Sequence, residues 1–283
     1  NRVSVEGMHI DLDCANGASY HIAPSVFTEL VAKLDLIGDS PDGFKINAGY
    51  GAPDPGNLQQ AVQENKADLG IALDGDVDRL IMVDQHGKVV DGDKLILIMA
   101  LSRASEGRLS GGVVGTVMSN LGMEQALKAN NVEFLRSAVG DRYVLELMKQ
   151  KGWQLGGESS GHIICLDKSM TGDGIVAALE ILQVMFDTGR SLADLAAQME
   201  TCPQTMINVE IPRGFDIQHN TTISHSVAEA ESELGDNGRI VLRPSGTEPL
   251  IRVMVEGVDA DIVRQQCEAL AEVVRAAAGH SRA

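Results

Sequence analysis

The sequence predicts an α/β protein, with two α/β domains that contain mixed, largely parallel sheets and a smaller α+β domain after them. Three observations predict this class. The chain has 283 residues, enough for two or three compact domains. Apolar runs alternate with stretches of helical period over residues 1–200, an order typical of parallel α/β sheets. The remaining residues follow a strand, helix, strand, strand, helix order, which indicates an α+β domain. We therefore expect domains over residues 1–92, 93–200 and 201–283.

The first segment begins with a short strand over His9–Cys14. Apolar residues at positions 26, 30, 34 and 36 then predict a helix, and residues 39–57 are rich in Gly, Pro, Asp and Asn, which predicts a loop. The strand, helix, strand alternation predicts parallel pairing, and a hairpin is expected around residues 85–87. The other elements of this segment are a helix over Gln59–Lys66 and strands over Ala67–Leu73, Leu80–Val83 and Lys88–Val90.

The second segment repeats the alternation, and the third segment changes it. Apolar helices over Lys94–Arg103 and Ile175–Phe186 frame the second segment, and Ser191 is expected to cap a further helix. The elements between them are strands over 113–117, 132–139, 153–156 and 163–166 and helices over 120–129 and 141–151. The third segment is expected to hold strands over 206–211, 240–242 and 250–255 and helices over 223–234 and 259–278.

The composition excludes several classes of protein. The chain has 40 acidic and 23 basic residues, a formal net charge of −17, so a general nucleic-acid or anionic-membrane surface is not expected. Nine aromatic residues are too few for a base-stacking platform, and no apolar run approaches the ~20 residues of a membrane span. Four scattered cysteines form no C-x-x-C pair. With no signal-peptide pattern at its start, the chain is expected to be cytoplasmic.

The sharpest local feature is the run Asp74–Arg79, with the sequence DGDVDR, at the end of an apolar strand. Its three carboxylates, on Asp74, Asp76 and Asp78, repel one another unless a positive group lies among them. A hard divalent cation is the natural partner, and Mg²⁺ commonly combines a few carboxylates with a substrate phosphate. The alternative is a solvated acidic turn. The carboxyl edge of a parallel sheet, where ligands bind, favours the metal.

Two other interpretations of this run can be compared with the sequence. An EF-hand loop requires Gly at its sixth position and Glu at its twelfth, but the chain has Arg79 and Gln85 there, so this class is excluded. A phosphatase of the haloacid dehalogenase type would use the first Asp of the run as its nucleophile. That interpretation stays open, with Asp74 in the role.

Two further loops have the chemistry of a sugar-phosphate site. The loop Gly157–His162 (GESSGH) carries a carboxylate, two hydroxyls and an imidazole, a mixture that suits a hydroxyl-rich ligand, although a polar hairpin turn is the simpler alternative. The loop Arg243–Thr247 (RPSGT), with Arg252 downstream, offers guanidiniums, hydroxyls and a glycine to a phosphate, although such turns are common. Arg142, at the start of a helix, is a smaller candidate for binding an anion.

Taken in order, these loops resemble the phosphohexose mutase superfamily, most closely its bacterial members that act on glucosamine phosphates. The resemblance covers essentially the whole chain and implies the last three of the family's four domains. The matching stretches are residues 13–21, 74–79, 139–144, 157–162, 171–174 and 243–256.

The resemblance implies a role for each candidate residue and a hexosamine phosphate as substrate. Arg79 would lie near the transferred phosphate, and His162 would be a possible acid/base. The Mg²⁺ ligands would be Asp74, Asp76 and Asp78, and the sugar hydroxyls would be held by Glu158 and Ser160. The anchors of the non-reacting phosphate would be Arg243, Ser245, Gly246 and Thr247, helped by Arg252.

The sequence departs from the family pattern in two ways. The family's phosphorylated serine lies in a Thr-Ala-Ser-His-Asn-Pro loop of its first domain, and no segment of this chain matches that loop. We therefore expect a fragment that is inactive without the missing N-terminal domain of its parent protein, which is a possible homodimer. The alternative that is not an enzyme is a non-catalytic module that binds a sugar phosphate. Val77 stands where the family usually has Gly, so a positive φ there would strain a β-branched residue.

Overall fold

A computed structural model describes residues 5–212, 214–217, 219–245 and 248–279. By their contacts the residues divide into two compact units. The first comprises residues up to 200 except 120–122, and the second comprises 120–122 and the residues from 201 onward. Among the described helices, none is both long and apolar enough to cross a membrane.

The first sheet of the first unit has five strands in the order β2-β1-β3-β4-β5. Strand β1 pairs in parallel with β2 and β3, whereas β4 and β5 continue the sheet in antiparallel pairing. Parallel β1 and β3 bring their carboxyl ends to one edge, and the loop after β3 is the predicted metal loop. The strands are β1 (Val5–Asp13), β2 (Val31–Ile37), β3 (Leu69–Leu73), β4 (Leu80–Asp84) and β5 (Val89–Val90), and the helices are α1 (Ile22–Thr28) and α2 (Gly56–Asn65).

The helix predicted from apolar positions 26, 30, 34 and 36 is wrong in its second half. Helix α1 ends at Thr28, and strand β2 begins at Val31. The segment from Lys33 to Leu36 also alternates polar and apolar side chains, and in this short stretch the period of two, typical of a strand, outweighs the spacing of four that predicts a helix. Leu34 packs against the core, while Lys33 and Asp35 form an ion pair at 2.8 Å.

The second sheet of this unit has four strands in the order β7-β6-β8-β9. Strand β6 pairs in parallel with β7 and β8, and β9 is antiparallel to β8. The strands are β6 (Val113–Thr116), β7 (Phe134–Ser137), β8 (Leu155–Gly157) and β9 (Ile163–Cys165), and the helices are α3 (Gly92–Ser105), α4 (Leu121–Ala129), α5 (Asp141–Lys151), α6 (Gly174–Thr188) and α7 (Leu192–Ala196).

Helices α3 and α6 join the two sheets of the first unit in one hydrophobic core. The apolar side chains over 95–100 of α3 are all buried, as expected for a helix that is apolar on every side. They pack in one cluster with Leu73 of the first sheet, Leu155 of the second and Ile181 of α6. This shared core holds the loop after β3 and the loop after β8 in a fixed relation.

Side chains cap the start of two of these helices, and the cap at Ser191 is the one predicted from the sequence. Asp173 precedes α6 and accepts a hydrogen bond from the Val176 backbone N–H at 3.0 Å. Ser191 precedes α7 and forms a capping box with Asp194. Both side chains satisfy backbone donors that a helix start leaves without a partner.

The second unit contains an antiparallel three-stranded sheet in the order β10-β12-β11. Helices α8 and α9 pack on one face, against alternate residues of the strands such as Ile251, Val253 and Val255. The elements are β10 (Gln204–Glu210), α8 (Thr221–Leu234), β11 (Gly238–Pro244), β12 (Leu250–Gly257) and α9 (Ala260–Ala277). The mixed α/β fold predicted from the sequence is thus confirmed.

Candidate active site

The acidic loop Asp74–Arg79 connects β3 to β4 at the carboxyl end of β3. One carboxylate oxygen from each of Asp74, Asp76 and Asp78 lies within 4.8 Å of the other two. Asp74 is buried, with 5% of its surface exposed, whereas Asp76 is exposed. The loop therefore gathers three carboxylates at the sheet edge, as the sequence predicts.

Neighbouring loops hold the backbone of this acidic loop from both sides. The Ala18 N–H donates to the Gly75 carbonyl oxygen at 2.9 Å, and a Cβ added at Gly17 would lie 2.5 Å from the same oxygen. On the other side, the space that a Cβ at Gly75 would occupy is filled by the Ile46 side chain. Glycine at positions 17 and 75 thus allows an approach that any side chain would prevent.

Val77 adopts a left-handed backbone conformation, with φ +69°. A β-branched residue in this region is strained by about 1–3 kcal/mol. The strain expected for a valine where the family usually has Gly is therefore confirmed. The conformation is maintained by tertiary contacts, since the Gly174 N–H donates to the Val77 carbonyl oxygen at 2.8 Å. Strain held in place in this way is common at functional sites.

The electrostatics of the acidic loop fit a divalent cation. Burial, with the nearby carboxylates of Asp78 and Asp76 as a further cause, raises the pKa of Asp74 to about 7, although a hydrogen bond from the Arg79 backbone N–H opposes the shift. The Arg79 Nε lies 3.8 Å from carboxylate oxygens of both Asp74 and Asp78, too far for a hydrogen bond. Asp78 Oδ1 is buried without a hydrogen-bond partner among the described residues. Oxygen ligands and excess negative charge are what Mg²⁺ requires.

The polar loop Gly157–His162 lies beside the acidic loop. It connects β8 to β9 in the second sheet, and its Gly161 carbonyl oxygen accepts a hydrogen bond from the Leu80 N–H at 2.9 Å. His162 is 4% exposed, and its Nε2 lies 3.4 Å from Asp78 Oδ2. Its Nδ1 is buried without a hydrogen-bond partner among the described residues. The imidazole and the acidic cluster therefore belong to one site.

The loop around residue 172 closes one side of this site. A Cβ at Gly172 would lie 2.6 Å from His162 Nε2 and 2.7 Å from the Asp78 carbonyl oxygen. Asp173 caps the start of α6, whereas Gly172 allows close contact between the acidic loop and the polar loop.

The remaining candidates of the first unit lie at the exposed side of the loops. Glu158 Oε1 accepts a hydrogen bond from the Gly140 N–H at 3.0 Å, which orients the carboxylate toward the start of α5. Ser160 is exposed. Arg142 has 78% of its side chain exposed and pairs with Glu146, with Nε 2.9 Å from Oε1. Its guanidinium is accessible to an anion.

The candidate phosphate loop belongs to the second unit. Arg243 of β11 and Arg252 of β12 are direct partners across the antiparallel pair, an arrangement of like charges that is unfavourable unless an anion lies between them. Ser245 begins the connection between the strands, and its Oγ accepts from the Glu248 N–H at 3.3 Å. The other two candidates of this loop, Gly246 and Thr247, lie outside the described residues.

Comparison with known proteins identifies the family. The chain belongs to the phosphoglucomutase/phosphomannomutase family. It matches the family models of alpha/beta/alpha domain II over residues 1–87, alpha/beta/alpha domain III over 91–202 and the C-terminal domain over 206–273. The resemblance inferred from the sequence is confirmed.

The chain is similar to several proteins whose activity is named. The phosphoglucosamine mutase of Azoarcus sp. is 53% identical over 277 residues, 98% of this chain and 61% of that protein. That of Coxiella burnetii is 55% identical over 276 residues, 97% of this chain and 62% of that protein. The chain thus spans less than two thirds of the length of these relatives. In fold it is similar to Aspergillus fumigatus N-acetylphosphoglucosamine mutase in complex with GlcNAc-6P and magnesium, with a TM-score of 0.77, 20% identity, and coverage of 98% of this chain and 63% of that one.

Proposed function

We propose that this chain is the metal-, sugar- and phosphate-binding part of a phosphoglucosamine mutase. The whole protein would interconvert glucosamine 6-phosphate and glucosamine 1-phosphate, an isomerase reaction that supplies amino sugar for cell-wall precursors. The observation that carries this proposal is the 3.4 Å approach of His162 Nε2 to Asp78 Oδ2, because it joins the acidic loop and the polar loop in one site. The family assignment favours this reaction over a phosphatase with Asp74 as nucleophile.

The acidic loop would hold Mg²⁺ through Asp74, Asp76 and Asp78. When bound, the ion would neutralise charge that develops on the transferred phosphoryl group. Arg79 would contribute further positive charge, since its Nε is 3.8 Å from two of the carboxylates and has no hydrogen-bond partner among the described residues. A phosphoryl oxygen is a suitable acceptor for that donor.

The reaction would proceed in two transfers between the sugar and a serine outside this chain. In the first, the serine O–P bond breaks and a bond forms between phosphorus and the sugar O1, while the O1 proton passes through His162 to the departing serine oxygen. The bisphosphorylated sugar then reverses its orientation. In the second transfer the serine oxygen gives its proton to His162 and bonds to phosphorus, the bond from phosphorus to O6 breaks, and His162 passes the proton to O6. His162 suits this role because Asp78 orients one ring nitrogen, and the buried Nδ1 has no other partner among the described residues.

Each unit would supply its own set of residues for substrate recognition. Glu158, oriented by the Gly140 N–H, would accept hydrogen bonds from sugar hydroxyls, and Ser160 would assist it. Arg142 would bind a phosphate from the exposed start of α5. The anchors of the non-reacting phosphate would be Arg243, Ser245, Gly246, Thr247 and Arg252, of which the two arginines, direct register partners on β11 and β12, suit a dianion.

Because the nucleophilic serine would lie outside this chain, we expect that the chain alone does not turn over substrate. A coupled assay for glucosamine 1-phosphate should show no activity, and addition of the serine-bearing N-terminal domain of the parent protein should restore some. Turnover by the chain alone at the rate of a complete phosphoglucosamine mutase would contradict this. A cytoplasmic location and a homodimer stay predictions.

Binding tests the proposed substrate separately from turnover. Calorimetric titration with glucosamine 6-phosphate in the presence of Mg²⁺ should show binding that Glu158→Ala weakens. Glu64→Ala is the matched control, because Glu64 is exposed on α2 and bonds only Gln60 among the described residues. If both variants bind as the original chain does, the role given to Glu158 is wrong.

A further inference from the structure

Asn47 lies against the acidic loop in an unusual backbone conformation. Its φ is +61°, in the left-handed region that Asn tolerates better than most residues. Its N–H donates to the Ala15 carbonyl oxygen at 2.9 Å, and Ala15 itself has φ +53°. The segment after β1 and the segment before α2 therefore hold each other in place beside the acidic loop.

The side chain of Asn47 adjoins Gly75, between the first two aspartates of the cluster. Its Nδ2 lies 3.3 Å, and its Cγ 3.7 Å, from the position that a Cβ on Gly75 would take. The amide therefore packs directly on the backbone between Asp74 and Asp76. A shift of this side chain would change the support of both ligands.

The amide oxygen of Asn47 is buried and has no hydrogen-bond partner among the described residues. A buried acceptor without a donor is destabilising, so its persistence beside a polar site points to a donor that binds there. Once a cation is bound, the carboxylates of the cluster are ionised and cannot donate. Mg²⁺ usually keeps several of its water ligands when it binds to proteins, and such a water is a strong donor.

We propose that Asn47 is a positioning residue of the cation site: its Oδ1 accepts a hydrogen bond from a water ligand of the cation bound by Asp74, Asp76 and Asp78. This inference rests on the proposed metal site and adds to it a residue that contacts a water ligand instead of the cation itself. Residues in this position orient the ligands of a metal, and their loss commonly weakens metal binding about 10- to 100-fold.

Calorimetric titration of the chain with Mn²⁺, a substitute for Mg²⁺, tests the inference. Asn47→Gly keeps the left-handed backbone available but removes the amide, and we expect it to weaken Mn²⁺ binding about tenfold. Asn131→Gly is the matched control, because Asn131 has φ +58° and is exposed, and we expect less than a twofold change. Asn47→Asp keeps the acceptor oxygen and should bind Mn²⁺ at least as tightly as the original chain.

The three variants separate the possible outcomes. Equal affinities in Asn47→Gly and Asn131→Gly would overturn the inference while leaving the metal site intact. Equal weakening in Asn47→Gly and Asn47→Asp would also overturn it, because the side chain would then act through packing alone. Absence of Mn²⁺ binding to the original chain would overturn both this inference and the metal site of the proposed function.

Discussion

The close contact at Gly172 gives a prediction whose size follows from the structure. A methyl group at this position would lie 2.6 Å from His162 Nε2, 2.8 Å from His162 Cε1 and 2.7 Å from the Asp78 carbonyl oxygen. Nonbonded heavy atoms prefer separations of about 3.5–4.0 Å, so His162 and the backbone at Asp78 must both move by about 1 Å. Because one of these atoms belongs to the backbone, rotation of a side chain cannot relieve the overlap.

We expect Gly172→Ala to lower the free energy of unfolding of the first unit by about 1–3 kcal/mol, the usual cost of overpacking. It should also weaken Mn²⁺ binding, because the carbonyl oxygen that moves belongs to a proposed metal ligand. Urea unfolding can be followed by the fluorescence of Trp153, the only tryptophan of the chain, which is buried in the first unit.

Gly56→Ala is the matched control for this substitution. A Cβ on Gly56, at the start of α2, would make an ordinary 3.5 Å contact with Asp54 Oδ1, so we expect a change within about 0.5 kcal/mol. If Gly172→Ala unfolds and binds Mn²⁺ as Gly56→Ala does, the two functional loops do not meet as described.

Two other predictions concern the pH dependence of the metal site and a helix cap. The pKa of Asp74, raised by burial to about 7 from an ordinary 3.8, means that the metal-free folded state holds a proton that the unfolded state has lost above pH 4. The contribution of this group to the free energy of unfolding should therefore fall as pH rises from about 4 to 7, and below about pH 7 a cation must displace the proton. Calorimetry should show the Mn²⁺ dissociation constant rising by up to about tenfold per pH unit below 7 and levelling above it; a flat profile from pH 5.5 to 8 would contradict this. Asp173→Ala should destabilise the first unit by about 1 kcal/mol through loss of the α6 cap, whereas Asp187→Ala, exposed at the other end of α6, should not; urea unfolding with equal midpoints would refute the cap's contribution.

Local patterns in the sequence were sufficient to predict most of the fold. The alternation of apolar strands with amphipathic helices predicts β1, α2 and β3 near their observed positions. The strands are recognisable because a parallel strand that is buried on both faces has a nearly continuous run of apolar residues. The helix predicted over residues 31–37 is wrong because Leu34 fits two patterns. It lies four residues after Leu30, as in a helix, and two residues before Leu36, as in a strand. Such a short stretch cannot be decided without knowing which face is buried.

Of the candidate site, only the residues proposed to bind the metal and the substrate could be predicted from the sequence. Three carboxylates in five residues at the end of an apolar strand favour a cation over a solvated acidic turn, and the order of the loops indicates the family. The packing around them was not predictable, because it depends on residues distant in the sequence. Gly172 and Asn47 carry no local signal of their contacts with His162 and Gly75, since glycine and asparagine in loops are usually explained by turn geometry.

The proposed function depends most on a cation at Asp74, Asp76 and Asp78. Titration of the chain with Mg²⁺ by calorimetry tests it directly, with Asp76→Asn as the test variant because Asp76 is exposed and its substitution should not disturb folding. Asp35→Asn is the control, since His9, Asp11 and Asp35 form a second cluster of possible ligands on β1 and β2. We predict one Mg²⁺ per chain, bound about tenfold more weakly or not at all in Asp76→Asn and unchanged in Asp35→Asn. Binding that survives in Asp76→Asn and disappears in Asp35→Asn would contradict the proposed cation site. Absence of Mg²⁺ binding to the original chain would also contradict it.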